Sequence, residues 1–257
     1  MQKWALILGV SSGFGAASSL ALARSGFNIV GVHLDRRATV GNAERVAAEI
    51  RGTGREALFF NMNAADPERR SEIIQACQKT AADGISLMLH SLAFGTLKPY
   101  IAQDASGSIN SAGMNMTLDV MAHSFVYWVQ ELFHAGLLNE GAKIFALTSA
   151  GAHRVWPSYG PVSAAKAALE AHVRQLAAEL ARFGISVNAL QAGVTDTPAA
   201  QRIPGSDEMF ARARESNPGK RLTTPEDLAD FLVSLALCRS NWATGNVIRV
   251  DGGEDLV

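Results

Sequence analysis

Three side chains suited to acid–base chemistry lie close together in the sequence: Ser149, Tyr159 and Lys166. A phenol can donate a hydrogen bond or a proton to a carbonyl oxygen, and a nearby ammonium group lowers the phenol pKa. An apolar run, Ile144–Leu147, leads to Ser149 as a buried strand would. If the three side chains converge, they predict a site that polarises a carbonyl group. Ser149 could equally cap or turn the chain, and both interpretations stay open at this point.

The spacing within this group is informative. Tyr159 precedes Lys166 by seven positions, and the residue four before the lysine is Val162, which cannot donate a proton. Pro161 favours the first turn of a helix. We therefore expect Tyr159 just before a helix and Lys166 in its second turn.

A glycine-rich turn follows the first apolar run, Trp4–Leu8, and precedes a helical pattern over Ala16–Arg24. Strand, glycine turn and helix form the setting in which a dinucleotide pyrophosphate binds at a helix N-terminus. Gly9 permits the tight turn, and Gly13 lets the backbone approach the phosphates. The residues predicted to contact the cofactor here are Gly9, Ser11, Ser12, Gly13, Phe14 and Gly15.

The end of the second strand pattern, Asn28–His33, is where NAD and NADP are told apart. An acid at this end bonds the ribose hydroxyls of NAD, whereas arginines favour the 2′-phosphate of NADP. His33 ends the strand, and Arg36 and Arg37 follow, so the sequence predicts NADPH, with NADH as the alternative because Asp35 opposes a phosphate. A solvated charged turn is an equally open interpretation.

Strand and helix patterns alternate along the rest of the chain, which predicts an α/β fold. The expected architecture is a Rossmann-type doubly wound parallel sheet of about seven strands with helices on both faces, in one domain over 1–257. The further strand patterns are Ala57–Asn61, Leu87–His90, Ile185–Leu190 and Asn246–Val250. Ligands of such sheets bind at the carboxyl ends of the strands, where Ser91, Ser149 and Gly193 lie. The polar segment 198–220 is predicted to be irregular, as a substrate lid or a plain surface excursion.

Composition excludes several classes of function. The 257 residues carry a net charge of −1 and are 48% apolar, which predicts neither a nucleic-acid partner nor a membrane partner. Met1–Lys3 leads directly into a strand pattern, so no secretory signal is expected. Cys77 and Cys238 are predicted to be buried free thiols in a reducing cytosol. The histidines His90, His123 and His153 fit no metal-ligand spacing, so no metal site is predicted.

Taken together, these residues resemble the short-chain dehydrogenase/reductase family over essentially the whole chain. The matching stretches are Gly9-x3-Gly13-x-Gly15, the Ser149–Tyr159–Lys166 set, Asn188-Ala189 and Asp251-Gly252-Gly253. Ordinary members place the tyrosine four before the lysine, whereas a spacing of seven is similar to that of bacterial enoyl-[acyl-carrier-protein] reductases. Three further stretches resemble that branch: His90–Phe94, Asp119–Phe125 and Ala189–Gly193.

The chain also departs from most of these reductases. Its glycine loop is of the ordinary family type, and Ser149 stands where many of them have a second tyrosine. The combination resembles the NADPH-using subtype of enoyl reductase. Met121 lies near the position of the family's usual asparagine in the long helix, which puts a proton relay through that helix in doubt.

The resemblance implies roles for further residues and a biological setting. It implies that Lys166 holds the cofactor ribose and that the remaining cofactor contacts are Asn63, Ser91, Gly193, Thr195 and Thr197. It also implies an acyl-carrier-protein or CoA thioester substrate, a place in cytoplasmic fatty-acid synthesis, and a homotetramer.

The spacing has a chemical rationale within this resemblance. A ketone accepts hydride at the carbon that bears the oxygen, whereas an enoyl thioester accepts it at Cβ and develops charge on an oxygen two carbons away. A tyrosine placed earlier than usual, such as Tyr159, can reach that more distant oxygen. We therefore predict NAD(P)H-dependent reduction of the trans-2 double bond of an enoyl thioester. The alternatives are a carbonyl or 3-ketoacyl reductase that uses Ser149 and Tyr159, and a non-catalytic NADP-binding sensor.

Overall fold

Seven strands form one parallel sheet in a computed structural model that describes residues 2–257. Met1, which belongs to the predicted domain and to the segment in which we expect no signal, lies outside the described residues. The strand order is β3-β2-β1-β4-β5-β6-β7, and every neighbouring pair is parallel. The strands are β1 Lys3–Leu8, β2 Phe27–His33, β3 Ala57–Asn61, β4 Ile85–His90, β5 Lys143–Ser149, β6 Ser186–Ala192 and β7 Val247–Val250. The predicted doubly wound parallel sheet is confirmed.

Helices cover both faces of the sheet, as predicted. They are α1 Gly13–Arg24, α2 Val40–Gly52, α3 Pro67–Thr80, α4 Ser111–Leu118, α5 Ser124–His134, α6 Gly160–Leu180, α7 Ser206–Ser216 and α8 Pro225–Leu237. One apolar core lies under α3, α5 and α6 and contains the buried Phe125 and Trp128. The second core lies under α1, α2 and α8 and contains the buried Phe27.

Local signals in the sequence set several helix starts. The Asp66 carboxylate accepts hydrogen bonds from the backbone N–H groups of Glu68 and Arg69, and Pro67 opens α3. Thr224 and Asp227 form a capping box at the start of α8.

The prediction of an irregular segment over 198–220 is wrong in part, because α7 occupies Ser206–Ser216. Only Ala213 of this helix is buried, so the apolar periodicity that identifies a helix in sequence is nearly absent. Gly205, with φ +75°, precedes the helix, and Asp207 and Glu208 in the first turn suit its positive end.

Two other expectations need correction. The long helix that the resemblance places around Met121 contains a π-helical turn, Asp119–His123, between α4 and α5. Such a turn adds one residue locally and leaves the spacing of apolar residues almost unchanged, so the sequence does not reveal it. Cys77 is buried as expected, but Cys238 is exposed: it follows the last residue of α8, outside the buried face of that helix.

The winding of the sheet reverses between β1 and β4, and the strand ends at this point are in register. Leu8 pairs with Val32 on one side and with His90 on the other. Such a reversal opens a crevice at the carboxyl ends of the strands, which is the usual ligand site in this architecture.

Among residues 2–257, none of the helices combines the length and the apolar character needed to cross a membrane.

Close backbone packing at the glycine loop yields the first prediction. A Cβ atom at Gly15 would overlap the Gly9 carbonyl oxygen and lie 2.8 Å from the carbonyl carbon. Gly15→Ala should therefore destabilise the fold by about 1–3 kcal/mol, the usual cost of overpacking, and weaken binding of a dinucleotide. Urea unfolding and fluorescence titration with NADPH measure the two effects.

Gly41→Ala in α2 is the matched control, because no heavy atom lies within 4 Å of its added Cβ. This variant should be neutral or more stable by up to about 1 kcal/mol. Equal stability and equal cofactor binding in both variants would contradict the packing argument.

Candidate active site

The glycine loop is pressed against the ends of two strands. The backbone N–H groups of Gly9 and Val10 donate to the Val32 carbonyl oxygen at 2.8 and 3.2 Å. Gly9 has φ +92°, and a Cβ at this position would lie 2.5 Å from the Ser91 carbonyl oxygen. The loop therefore requires glycine here for both conformation and space, and it brings the predicted residues Gly9 and Ser91 together.

The N-terminus of α1 is free to bind an anion. Ser12 occupies the N-cap position without making a side-chain capping hydrogen bond, and the first turn holds no acid. The Thr197 methyl group lies 3.4 Å from the position of a Cβ on Gly13, so the loop after β6 faces this turn. Unpaired N–H groups and the helix dipole suit a pyrophosphate at this end. Phe14 packs against the core, so its backbone is the part that can serve a cofactor.

The end of β2 presents an acid to the glycine loop. The buried His33 places Nδ1 2.8 Å from Asp35 Oδ2, and the Asp35 backbone N–H donates to Asn61 Oδ1 at 2.9 Å. Partial burial raises the pKa of Asp35, but hydrogen bonds from Thr39, Ser11 and His33 outweigh it and hold the pKa below its usual value. An ionised carboxylate thus contacts Ser11.

The two arginines of this region behave differently. Arg36 and Arg37 are exposed to solvent, whereas Asp35 is partly buried beside the loop. The structure therefore places the acid, and not the two cations, next to the glycine turn.

Asn63 lines a cavity of about 520 Å³ at the end of β3, together with Asp66, Met116 and Asp119. Its side-chain oxygen accepts a hydrogen bond from the Ala65 N–H at 3.0 Å, which fixes the turn after the strand.

Ser149 and Tyr159, ten residues apart, meet at the end of β5. Ser149 is the last residue of the strand, and its Oγ accepts a hydrogen bond from the Gly151 N–H at 3.0 Å. A Cβ on Gly151 would overlap Tyr159 Cε1 and lie 3.3 Å from Ser149 Oγ, so Gly151 leaves the space in which the two side chains approach. Burial raises the pKa of Tyr159, and a hydrogen bond from Ser149 acts against this rise.

Tyr159 lies just before α6, as predicted, in its N-cap position. The preceding residue, Ser158, has φ +61°, a conformation that is uncommon outside glycine. Such strain is often found beside functional groups, and here it sets the direction in which the tyrosine enters the helix.

Lys166 lies in the second turn of α6 and is buried, with 6% of its surface exposed. Its Nζ donates to the Leu147 carbonyl oxygen at 2.7 Å. Burial lowers the pKa of Lys166 to about 8, and the negative charge of Glu170 acts in the opposite direction.

Glu170 is a functional candidate that the sequence analysis missed. Thr148 Oγ1 donates to Glu170 Oε1 at 2.6 Å, which holds this carboxylate on the same side of α6 as the lysine. The signal was present in the sequence, because residues four apart lie on one face of a helix.

His90 lies behind this group at the end of β4. Its Nε2 is 2.9 Å from Ser124 Oγ, which itself donates to the Val120 carbonyl oxygen. Burial and the charge of Lys166 lower the pKa of His90 to about 3, so the ring is neutral and donates to Ser124. His123 pairs instead with His172 at 3.1 Å.

The loop after β6 is held by one hydrogen bond to β7 and by one within the loop. The Gly193 N–H donates to the Val250 carbonyl oxygen at 3.3 Å, and Thr195 Oγ1 donates to the Gly193 carbonyl oxygen at 2.9 Å. The buried Thr195 hydroxyl is thus already used, which leaves the backbone of this loop as the group that can face a nicotinamide.

The candidate lid contacts the loop that leads to Tyr159. Trp156 Nε1 donates to the Pro204 carbonyl oxygen at 3.1 Å. A cavity of about 460 Å³ lies between this loop and α7, lined by Val155, Trp156, Pro204 and Arg212 among others. The lid role of 198–220 stays a prediction.

Comparison with known proteins gives one consistent family. Residues 9–254 match the sequence profile of a family described as enoyl-(acyl carrier protein) reductase. The 1-cyclohexenylcarbonyl-CoA reductase of Streptomyces collinus is 27% identical over 263 residues, covering 100% of this chain and 88% of that protein. The NADH-dependent enoyl-[acyl-carrier-protein] reductase FabI of a Nostoc species is 30% identical over 266 residues, covering 99% and 97%.

Solved structures agree on the fold. The NADH-dependent enoyl-[acyl-carrier-protein] reductase of Aquifex aeolicus superposes with a TM-score of 0.83 at 25% identity, covering 99% of this chain and 97% of that one. A short-chain dehydrogenase from Burkholderia cenocepacia in complex with NADP gives a TM-score of 0.84 at 24% identity, with coverage of 99% and 98%.

The pairing of Lys166 with Glu170 yields a pH prediction. Lys166 loses its charge as the pH rises through its pKa of about 8, and the Glu170 carboxylate keeps that pKa from falling further. Because the resemblance implies that Lys166 holds the cofactor ribose, Glu170→Gln should move the alkaline loss of NADPH binding to lower pH. Fluorescence titration of NADPH at a series of pH values measures this shift.

Glu179→Gln, an exposed change on the same helix, is the control and should leave the pH profile in place. Coincident profiles for Glu170→Gln and the wild type would show that Glu170 does not act on Lys166.

Proposed function

This chain belongs to the enoyl-(acyl carrier protein) reductase family of NAD(P)H-dependent oxidoreductases, and we propose that Tyr159, Lys166 and Ser149 carry out its reaction with NADPH. The reaction is the reduction of the trans-2 double bond of an enoyl thioester. The observation that carries the proposal is the contact of Tyr159 with Ser149 at the end of β5. Tyr159 lies seven residues before the buried Lys166.

The cradle for the cofactor fits a dinucleotide. Gly9 and Gly15 leave no room for a side chain, and the start of α1 offers unpaired N–H groups to a pyrophosphate. When bound, the nicotinamide supplies a hydride to Cβ of the substrate. Lys166 would hold the ribose, with backbone groups from Gly193 to Thr197 facing the carboxamide.

Tyr159 is the residue assigned to the carbonyl oxygen. As Cβ gains the hydride, the electron pair of the double bond moves toward the thioester oxygen, and the Tyr159 hydroxyl donates a hydrogen bond to the enolate that forms. Burial keeps the phenol protonated, and the hydrogen bond from Ser149 counters the rise in its pKa. A proton added at Cα completes the saturated product.

Ser149 is assigned a role through Tyr159. Its hydroxyl oxygen accepts the Gly151 N–H and lies beside the phenol, so it orients the tyrosine and moderates its acidity.

The position four before Lys166, where ordinary family members have their tyrosine, is occupied here by Val162, which cannot donate a proton. Val162 is a buried residue in the first turn of α6, and its Cγ2 would lie 3.0 Å from a Cβ at Gly95. The oxygen of a ketone that received hydride at its own carbon would therefore meet an apolar side chain, which supports the enoyl substrate over the 3-ketoacyl alternative.

The carrier and the setting are also proposals. The Streptomyces relative is named for a CoA thioester and the Nostoc relative for an acyl-carrier-protein thioester. We assign this chain an acyl thioester on one of these carriers, in cytoplasmic fatty-acid synthesis, as a homotetramer.

The choice of substrate is the test of the proposed function. The protein should reduce crotonyl thioester at least about 10²-fold faster than acetoacetyl thioester. The reason is that a reacting atom misplaced by about 1 Å can lower the rate by about 10²-fold. With 4-deuterated NADPH, mass spectrometry should find deuterium at C3 of the saturated product. Label on a new alcohol carbon would establish the carbonyl reductase instead, and no turnover of either substrate would favour the sensor.

Tyr159→Phe is the matched variant for this assay, since it removes one hydroxyl and keeps the ring beside Gly151. It should lower turnover by about 10²-fold or more while leaving NADPH affinity nearly unchanged. Full activity in this variant would remove Tyr159 from the mechanism.

Cofactor preference rests on opposing charges. Arg36 and Arg37 favour a 2′-phosphate, whereas the ionised Asp35 beside Ser11 repels one. We expect a preference for NADPH that Asp35→Asn increases and that Ala at both arginine positions decreases. The ratio of kcat/KM for NADPH and NADH measures this, and equal values in the wild type would contradict the preference.

A further inference from the structure

Glu254 and Asp255 lie in a 3-10 turn near the end of the described chain, and hydrogen bonds to the Asp251 carboxylate hold this turn. After β7, Asp251 Oδ1 accepts the Gly253 N–H at 2.9 Å, and its Oδ2 accepts the Asp255 N–H at 3.1 Å. These bonds shape the 3-10 turn Glu254–Leu256 and send the side chains of Glu254 and Asp255 back toward the sheet. Neither acid belongs to a motif that the sequence analysis singled out.

The Asp255 carboxylate gathers donors from three elements. His153 Nε2 lies 3.0 Å from its Oδ2, and Arg154 Nε lies 2.7 Å from its Oδ1. Gln191 of β6 donates to Oδ2 at 3.1 Å, and Arg249 of β7 lies at the same distance. The carboxylate is only 3% exposed, so nearly all of its hydrogen-bonding capacity is used by the protein.

His153 and Arg154 close the turn that begins at Ser149. Their backbone N–H groups donate to the Ala150 carbonyl oxygen at 3.1 and 2.8 Å. The Ser149 hydroxyl accepts the Gly151 N–H within this turn, over which the Tyr159 ring lies. Asp255 therefore fixes the far end of the segment that places Ser149 against Tyr159.

Glu254 holds the other loop of the site. The Val194 N–H donates to both of its carboxylate oxygens, at 3.1 and 3.0 Å. A Cβ at the neighbouring Gly193 would lie 2.9 Å from Glu254 Oε2, so glycine there leaves room for the carboxylate. The loop after β6, assigned to the nicotinamide, is thus tied to the same turn.

We propose that Glu254 and Asp255 are positioning residues with separate tasks: Glu254 sets the cofactor loop, and Asp255 sets the turn that aligns Ser149 with Tyr159. The proposal rests on the proposed function for the identity of the reaction. It goes beyond that function by adding two residues, distant from the reacting atoms, that couple the two halves of the site.

The two contacts differ in a way that an experiment can use. Glu254 receives one backbone N–H from this loop, so a neutral glutamine still offers an acceptor. Asp255 faces His153 and the guanidinium groups of Arg154 and Arg249. An asparagine would present one oxygen and an NH₂ group to which neither arginine can donate. The conservative variant should therefore rescue position 254 and fail at position 255.

At position 255, Asp255→Asn should lower kcat for crotonyl thioester by about tenfold or more and leave the NADPH dissociation constant within about twofold. Amide hydrogen exchange should become faster in residues 150–157 and stay unchanged in residues 193–197. If Asp255→Asn folds poorly, Arg154→Gln takes its place in the test. It removes one donor, leaves Asp255 intact, and should also lower kcat.

At position 254, Glu254→Ala should raise the NADPH dissociation constant by about tenfold, because the Val194 N–H is left without its acceptor. Exchange should accelerate in residues 193–197, and kcat at saturating NADPH should change by less than about threefold. Glu254→Gln should lie close to the wild type in both measurements.

Glu72→Gln, an exposed loss of one negative charge on α3, serves as the control for net charge and should change neither parameter. Wild-type kcat in Asp255→Asn, or the same parameter and segment changing at both positions, would overturn the division of tasks. If the wild type fails to reduce crotonyl thioester, the proposed function fails, yet the NADPH and exchange measurements still decide whether the two acids hold separate loops.

Discussion

The candidate active site depends on one buried ammonium group, that of Lys166, which is kept away from water. Three consecutive residues of β5 contact the side chains of α6 and its N-cap. The Leu147 carbonyl oxygen accepts a hydrogen bond from Lys166, the Thr148 hydroxyl donates one to Glu170, and Ser149 lies beside Tyr159. An unpaired buried charge is costly, so the carbonyl and the nearby carboxylate together make a charged lysine tolerable there. The contact of β5 with α6 is thus both a packing interface and the frame of the candidate active site.

A second constraint acts at the centre of the sheet, where the winding reverses between β1 and β4. Backbone from the glycine loop, β2 and β4 meets there so closely that Gly9 and Gly15 leave no space for a side chain. This density creates the surface on which a pyrophosphate can approach main-chain N–H groups. In the last turn, Glu254–Leu256, the carboxylate of Glu254 bonds the loop after β6 and that of Asp255 bonds the turn after β5.

The family assignment and the local chemistry agree on most points and differ on one. The family, the 27% and 30% identical relatives and the position of Tyr159 all point to an enoyl thioester as the substrate. At the cofactor end, Asp35 takes the place beside Ser11 that a phosphate-binding cation would suit, while Arg36 and Arg37 reach into solvent. A carboxylate and a phosphate repel each other, so Asp35 opposes the 2′-phosphate that Arg36 and Arg37 would favour. This end of the candidate site is where the local charges and the proposed NADPH preference disagree.

Short-range patterns in the sequence determined the order of strands and helices, the glycine turn, the helix starts at Asp66 and Thr224, and the placement of Tyr159 before a helix with Lys166 in its second turn. Each of these depends on residues a few positions apart, so their spacing is enough. Glu170 was within reach of the same reasoning, because it lies four residues after Lys166 on one helix. The sequence did not reveal the helix α7, the π-helical turn, the exposure of Cys238, or the contacts of Glu254 and Asp255. Val194 lies 60 residues from Glu254, and His153 lies 102 residues from Asp255. Only the docking of separate strands and loops brings such groups together, since no periodicity connects side chains so far apart in the chain.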